Sequence, residues 1–278
     1  SYDPVKKIMP TKLAIKPMLR RLVDWRYGPK IEFYLRAVED RYRKLLPSVC
    51  SQVDALSKYD RHLLDCHIAS AAKAPNLLKV KIRLASTKDF VERCVGTIGP
   101  SDAVVDVGAA SGVFLQMLGK SEMAVEAWKP ALEYLRQAGI AAVEAGEGGL
   151  PFANNHFDYG FALETLEHVT DPVGTLREIG RVCQKGVFIS IPYRETSQVV
   201  APKVIGTVTD QHIFELSHGD FDRMAAHCGL VVRASERVWL QDCGAGIEDF
   251  LAAVVGQGGE GVVRGKGGKA PFSLGKSQ

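Results

Sequence analysis

The chain has 278 residues, 46% hydrophobic and 24% charged, a balance that fits a soluble globular protein and excludes a fibrous or low-complexity one. No uninterrupted apolar run reaches the length of a membrane span, and the opening Ser1-Tyr-Asp-Pro-Val-Lys-Lys has no apolar signal core, so a cytoplasmic location is expected. Six cysteines (Cys50, Cys66, Cys94, Cys183, Cys228, Cys243) form no C-x-x-C pair and read as reduced core thiols, while the scattered histidines show no zinc spacing, so no metal is expected.

The net charge of +3 hides an asymmetry. Residues 1–46 carry twelve Lys/Arg against five Asp/Glu, the long middle to residue 256 carries nineteen against twenty-six, and the tail from Gln257 carries four against one. A basic N-terminal segment of this kind suits a solvated helix face, and it leaves RNA or an anionic membrane surface open as partners.

In chain order, Leu13, Met18, Leu19, Leu22 and Val23 suggest a first helix bounded by Pro10 and Pro17. After Gly28-Pro29 a clean helical stripe runs through Ile31, Tyr34, Leu35, Val38, Tyr42 and Leu45. Val53, Leu56, Leu63 and Leu64 suggest another helix, and Phe90, Val91, Cys94 and Val95 one that leads into the core. Residues 1–100 are therefore expected to form a helical N-terminal extension.

Next comes Ala103-Val-Val-Asp-Val-Gly-Ala-Ala-Ser-Gly112, a buried strand ending at an acid, then a glycine turn, then apolar residues at helical spacing through Val113, Leu115, Met117 and Leu118. Such a turn belongs at the carboxyl end of a parallel strand, where backbone N–H groups meet a ligand. The spacing from Gly108 to Gly112 is G-x-x-x-G, which counts against the G-x-G-x-x-G of a nicotinamide dinucleotide site. A short strand Met123-Ala-Val-Glu126 follows and also ends in a carboxylate, suited to accept the hydroxyls of an adenosine ribose.

Further strands read at 140–144, 157–162, 186–191, 230–239 and 248–255, alternating with helices that start at Val173 and around Phe221. The alternation predicts an α/β fold with a doubly wound parallel sheet. The Gly- and Lys-rich residues 257–278 cannot bury a core and read as a flexible tail, and Gly265-Lys-Gly-Gly-Lys269 lacks phosphate-loop spacing.

The D-x-G turn, Glu126, and the run Gly149-Leu-Pro-Phe-Ala-Asn-Asn-His-Phe-Asp158, Leu-Glu-His-Val169 and Asp171-Pro172 together resemble the small-molecule members of the class I S-adenosylmethionine-dependent methyltransferases. Asp210-Gln-His-Ile-Phe-Glu-Leu-Ser217 resembles the region before the last helix of that family, so the likeness covers roughly Asp102 to Val255. The resemblance implies a mostly parallel, Rossmann-like sheet of seven strands over residues 101–256, with the last strand inserted antiparallel. It implies S-adenosylmethionine as cofactor and S-adenosylhomocysteine as product.

Residue by residue, the resemblance implies that Asp106 orients the turn, and that Gly108, Ala109 and Gly112 let the backbone approach the cofactor. Glu126 would hold the ribose, and Leu163 and Glu164 would lie beside the methionine portion and the reacting centre. Two positions depart from the family: Ala110 stands where glycine is usual, and Gly146 stands where an acid usually meets the adenine, leaving Glu147 for that contact. His168 would take the acceptor's proton or position the acceptor, with Glu164 beside it, and Tyr193, Arg194 and His212 are the substrate-side residues. The absence of D/N-P-P-Y/F at the fourth strand and of any Pro-Cys dipeptide argues against DNA. The expected activity is methylation of a hydroxyl, or an amine, of a small metabolite, sugar or lipid-linked acceptor. The alternatives are an inactive methyltransferase-fold scaffold and an RNA methyltransferase that uses the basic arm.

Overall fold

A computed structural model describes residues 43–44, 47–60, 63, 74–145, 149–199, 212–240 and 247–256. The stripe at 30–45, apart from Arg43 and Lys44, and the tail from residue 257 lie outside the described residues. Seven strands form one sheet in the order β3-β2-β1-β4-β5-β9-β8. They are β1 (Val104–Val107), β2 (Ala124–Glu126), β3 (Ala142–Glu144), β4 (Phe157–Leu163), β5 (Cys183–Pro192), β8 (Leu230–Leu240) and β9 (Ile247–Gly256). A small hairpin, β6 (Gln198–Val199) with β7 (Phe214–Glu215), stands apart. Strands β1 to β5 run parallel, and β9 lies antiparallel between β5 and β8. The expected doubly wound sheet with an inserted antiparallel strand is therefore present, and chain order reverses between β1 and β4, where a cleft opens.

Every residue of β1 is buried, as a central parallel strand requires when helices cover both faces. The period of two sends Val104 to one core and Val105 to the other. The first core also receives α2 (Ala74–Val95), through Ile82, Ala85, Phe90 and Val91, together with Phe114 and Leu115 of α3 (Val113–Met117). Helix α2, which lies N-terminal to the boundary expected at residue 100, thus packs directly on the sheet. The short helix α1 (Cys50–Ala55) adds Val53 to the same core, and α4 (Lys129–Gln137) adds Leu135. The second core is closed by Leu176, Ile179 and Val182 of α5 (Pro172–Val182) and by Phe221 and Ala225 of α6 (His218–His227). In the first core Phe114 meets Phe161 edge to face at a centroid distance of 5.1 Å, and Phe161 stacks on Phe188 at 5.6 Å.

The described cysteines are free thiols. Burial pushes the Cys94 thiol up to about 11 and Cys183 to about 12, which keeps both neutral and inert. Among the described residues no helix is long and apolar enough to cross a membrane.

Candidate active site

The turn after β1 holds three left-handed residues: Gly108 (φ 78°), Ala110 (φ 45°) and Gly112 (φ 67°). The Gly108 N–H donates to the Val125 carbonyl at 2.8 Å and Gly112 N–H to Ala109 at 2.7 Å, which folds the turn back over β2. A Cβ on Gly108 would run into the Thr165 hydroxyl, which itself donates to the Val107 carbonyl at 3.0 Å. A Cβ on Gly112 would lie within 2.6 Å of Leu135 Cδ2 and Ile140 Cδ1. Gly112 is therefore required for close packing of the turn on α4. Ala109 is buried in the first core.

The Glu126 carboxylate, only 8% exposed, accepts the Ala110 N–H and the Trp128 N–H, both at 2.8 Å. These bonds lock the end of β2 to the glycine turn and leave each carboxylate oxygen further acceptor capacity. Trp128, absent from the sequence reading, keeps 49% of its surface exposed two residues beyond this carboxylate. Asp106 is 2% exposed under the turn; burial, and then the charge of Glu126, push its carboxyl up to about 7. Glu147 and Gly146 lie outside the described residues.

At the end of β4, Leu163 leads into Glu164, which takes a left-handed φ of 51°. The Glu164 N–H donates to the Ser190 carbonyl at 3.0 Å and hydroxyl at 3.1 Å, and its carboxylate lies 3.6 Å from Arg83 of α2. A non-glycine residue held there marks a place where the fold accepts strain of the order of 1–3 kcal/mol. The next four residues form a turn closed by His168 N–H to the Thr165 carbonyl at 3.0 Å.

That turn brings together residues far apart in sequence. The Ile213 N–H donates to the Glu167 carbonyl at 2.6 Å, pinning the segment before α6 to it. The His168 and His212 rings then meet edge to face at 5.0 Å, and His168 Nε2 lies 3.8 Å from the buried Glu167 carboxylate. His212 Nδ1 sits 3.0 Å from Glu215 Oε1. Arg194 clamps the same carboxylate through both Nε, at 2.7 Å, and a terminal amino group at 3.0 Å. Bonds from Arg194, and then from Gln198 and His212, hold the Glu215 carboxyl down to about 2.

His168, expected to act on the acceptor, and His212, expected among the substrate-side residues, are thus neighbours. Arg194, expected among the substrate-side residues, engages Glu215 through this fork. Tyr193 supports the Arg237 guanidinium, 3.8 Å above its ring. Glu167 and Glu215 were missed in sequence; the one available signal was Glu215 three residues after His212. Among the described residues Glu167, His168 and His212 form a group whose ligand atoms all lie within 4.8 Å of one another.

A family model described as a methyltransferase domain matches residues 105–191. Cycloartenol-C-24-methyltransferase 1 of Oryza sativa subsp. japonica is 31% identical over 106 residues, which are 34% of this chain and 31% of that protein. The chain thus spans about a third of the length of this curated relative. Among solved structures, a complex of the Haloferax volcanii Trm112 methyltransferase activator and a methyltransferase contains a chain 18% identical, covering 74% of this chain and 96% of that one at a TM-score of 0.49. A Methanosarcina mazei S-adenosylmethionine-dependent methyltransferase is 15% identical, covering 58% and 94% at a TM-score of 0.46. Residues 105–191 are therefore similar to a methyltransferase domain, on a seven-stranded sheet that places Asp106 next to the end of β1 and Glu126 at the end of β2.

Proposed function

We propose that this protein transfers a methyl group from S-adenosylmethionine to a hydroxyl, or an amine, of a small metabolite, sugar or lipid-linked acceptor. The observation that carries this reading is the pairing of Glu126 with the left-handed turn at the switch point, in contact through Gly108 and Thr165 with the turn that bears His168. The cofactor supplies a methyl on a sulfonium, so the protein mainly aligns donor and acceptor and excludes water, which is worth on the order of 7–11 kcal/mol.

Glu126, fixed by Ala110 and Trp128, uses its remaining lone pairs for the two ribose hydroxyls. The exposed Trp128 indole offers a flat apolar face to the base. Asp106, buried behind the turn, orients the methionine end. Leu163 and Glu164 line the approach to the reacting carbon, and Arg83 steadies Glu164. His168 takes the acceptor's proton or positions the acceptor, with His212 beside it.

The scaffold alternative loses its main support in the geometry of Ala110. That residue already adopts the left-handed conformation with its N–H on Glu126, so its methyl does not prevent the turn. The test is label transfer from methyl-labelled cofactor to a panel of hydroxyl and amine acceptors. We expect turnover with at least one class, a fall of about 100-fold or more in His168→Ala, and unchanged cofactor affinity in that variant. Cofactor binding with no transfer across the panel would return the protein to the scaffold reading.

A further inference from the structure

We infer that Glu167, His168 and His212 bind one divalent transition-metal ion at the mouth of the cleft, leaving coordination positions open for an acceptor oxygen. The inference rests on the methyltransferase reading for its role, and on the geometry alone for the cation. The three side chains offer one carboxylate oxygen and two imidazole nitrogens, all within 4.8 Å of one another. Ligand atoms around zinc, at bonds of about 2.0–2.2 Å, sit roughly 3–3.5 Å apart, so a shift on the order of 1 Å closes the group on an ion. Two imidazoles with one carboxylate favour zinc, iron, cobalt or nickel over magnesium or calcium, which prefer all-oxygen sites.

A second observation points the same way. Metal-binding histidines characteristically give their other ring N–H to a carboxylate, which fixes tautomer and aim. His212 does so: its Nδ1 lies 3.0 Å from Glu215, leaving Nε2 for a ligand, and Arg194 holds that carboxylate by two bonds. The two stretches of chain that supply the ligands are also tied by backbone, with Ile213 N–H on the Glu167 carbonyl at 2.6 Å. Three protein ligands with open positions is the pattern of a catalytic rather than a structural ion. An acceptor hydroxyl bound there would lose its proton to solvent water more readily, and His168, as a ligand, would serve the second of its two proposed roles, positioning the acceptor.

The experiment is titration of metal-stripped full-length protein with cobalt(II), followed by visible absorption. We expect one equivalent to bind with bands of mixed nitrogen and oxygen coordination. The bands should vanish in His212→Ala and in Glu167→Gln, and Glu215→Gln should weaken binding about 10–100-fold. His212 is partly exposed, so its variant stays informative if the buried Glu167 variant fails to fold. No cobalt bands, or equal binding in His212→Ala, overturns the inference. S-adenosylhomocysteine binding without cobalt binding would overturn this site alone, whereas cobalt binding without S-adenosylhomocysteine binding would keep the site and overturn the methyltransferase reading.

Discussion

Ala110 holds a left-handed φ of 45° in a position that glycine occupies at less cost, so Ala110→Gly should relieve part of a strain of about 1–2 kcal/mol. Greater freedom in the unfolded chain offsets about 0.4–1 kcal/mol of that gain, and a net rise in Tm of a few degrees at most is expected by calorimetry. Glu126→Ala removes bonds to both Ala110 and Trp128 and should weaken S-adenosylmethionine binding at least about tenfold, since each bond to a charged group is worth roughly 1.5–3 kcal/mol. By contrast Gly108→Val forces a Cβ into Thr165 at φ 78° and should lower stability as well as binding. Asp106 carries the pH dependence. Its folded value near 7 lies above the ordinary carboxyl value of 3.8, so the folded protein holds a proton that the unfolded chain has released. This position's contribution to stability therefore falls as pH rises from about 4 to about 7. Urea unfolding should show that fall removed in Asp106→Asn, and an unchanged pH profile would contradict it.

The elements show which motifs are architecture. Asp171 caps α5 by accepting the Gly174 N–H at 2.7 Å, and Pro172 sits in the first turn, so Asp171-Pro172 is a helix start. Asp171→Ala should cost about 0.5–2 kcal/mol, read as a Tm loss with cofactor affinity unchanged. The Leu150-Pro-Phe152 loop is held by Arg181, which donates to the Leu150 and Phe152 carbonyls at 3.0 and 2.8 Å. Asp158 accepts the Ala103 N–H at 2.8 Å and lies 3.0 Å from Lys185, fixing the entry to β1 and β5, away from the chemistry. These residues were legible as a pattern because each answers a local need of the chain. A shift of register between Phe157 and Tyr159 was not legible: it sends Phe157 to one core and Tyr159 to the other, although they stand two apart.

At the scale of the molecule, the doubly wound parallel sheet followed from strands alternating with helices, whereas the inserted antiparallel strand was legible only through the family resemblance. Glu126 at the end of β2, and Asp106 one residue before the end of β1, were legible because each stands where a strand gives way to the turn after it. The cluster at the cleft mouth was not. His212 reaches His168 only through the backbone bonds that dock residues 213 and 214 on Glu167, a long-range closure with no local pattern. The pairing of Arg194 was not legible either, since the buried glutamate it holds comes from the distant β7.

The central claim is that the turn after β1 and Glu126 bind an adenosylmethionine and not a dinucleotide. Titration calorimetry of the purified protein with S-adenosylmethionine, S-adenosylhomocysteine and NAD tests it most directly. Saturable binding of the first two at one site per chain, lost in Glu126→Ala and absent for NAD, is the predicted result. Binding of NAD alone, or of none of the three, would contradict it.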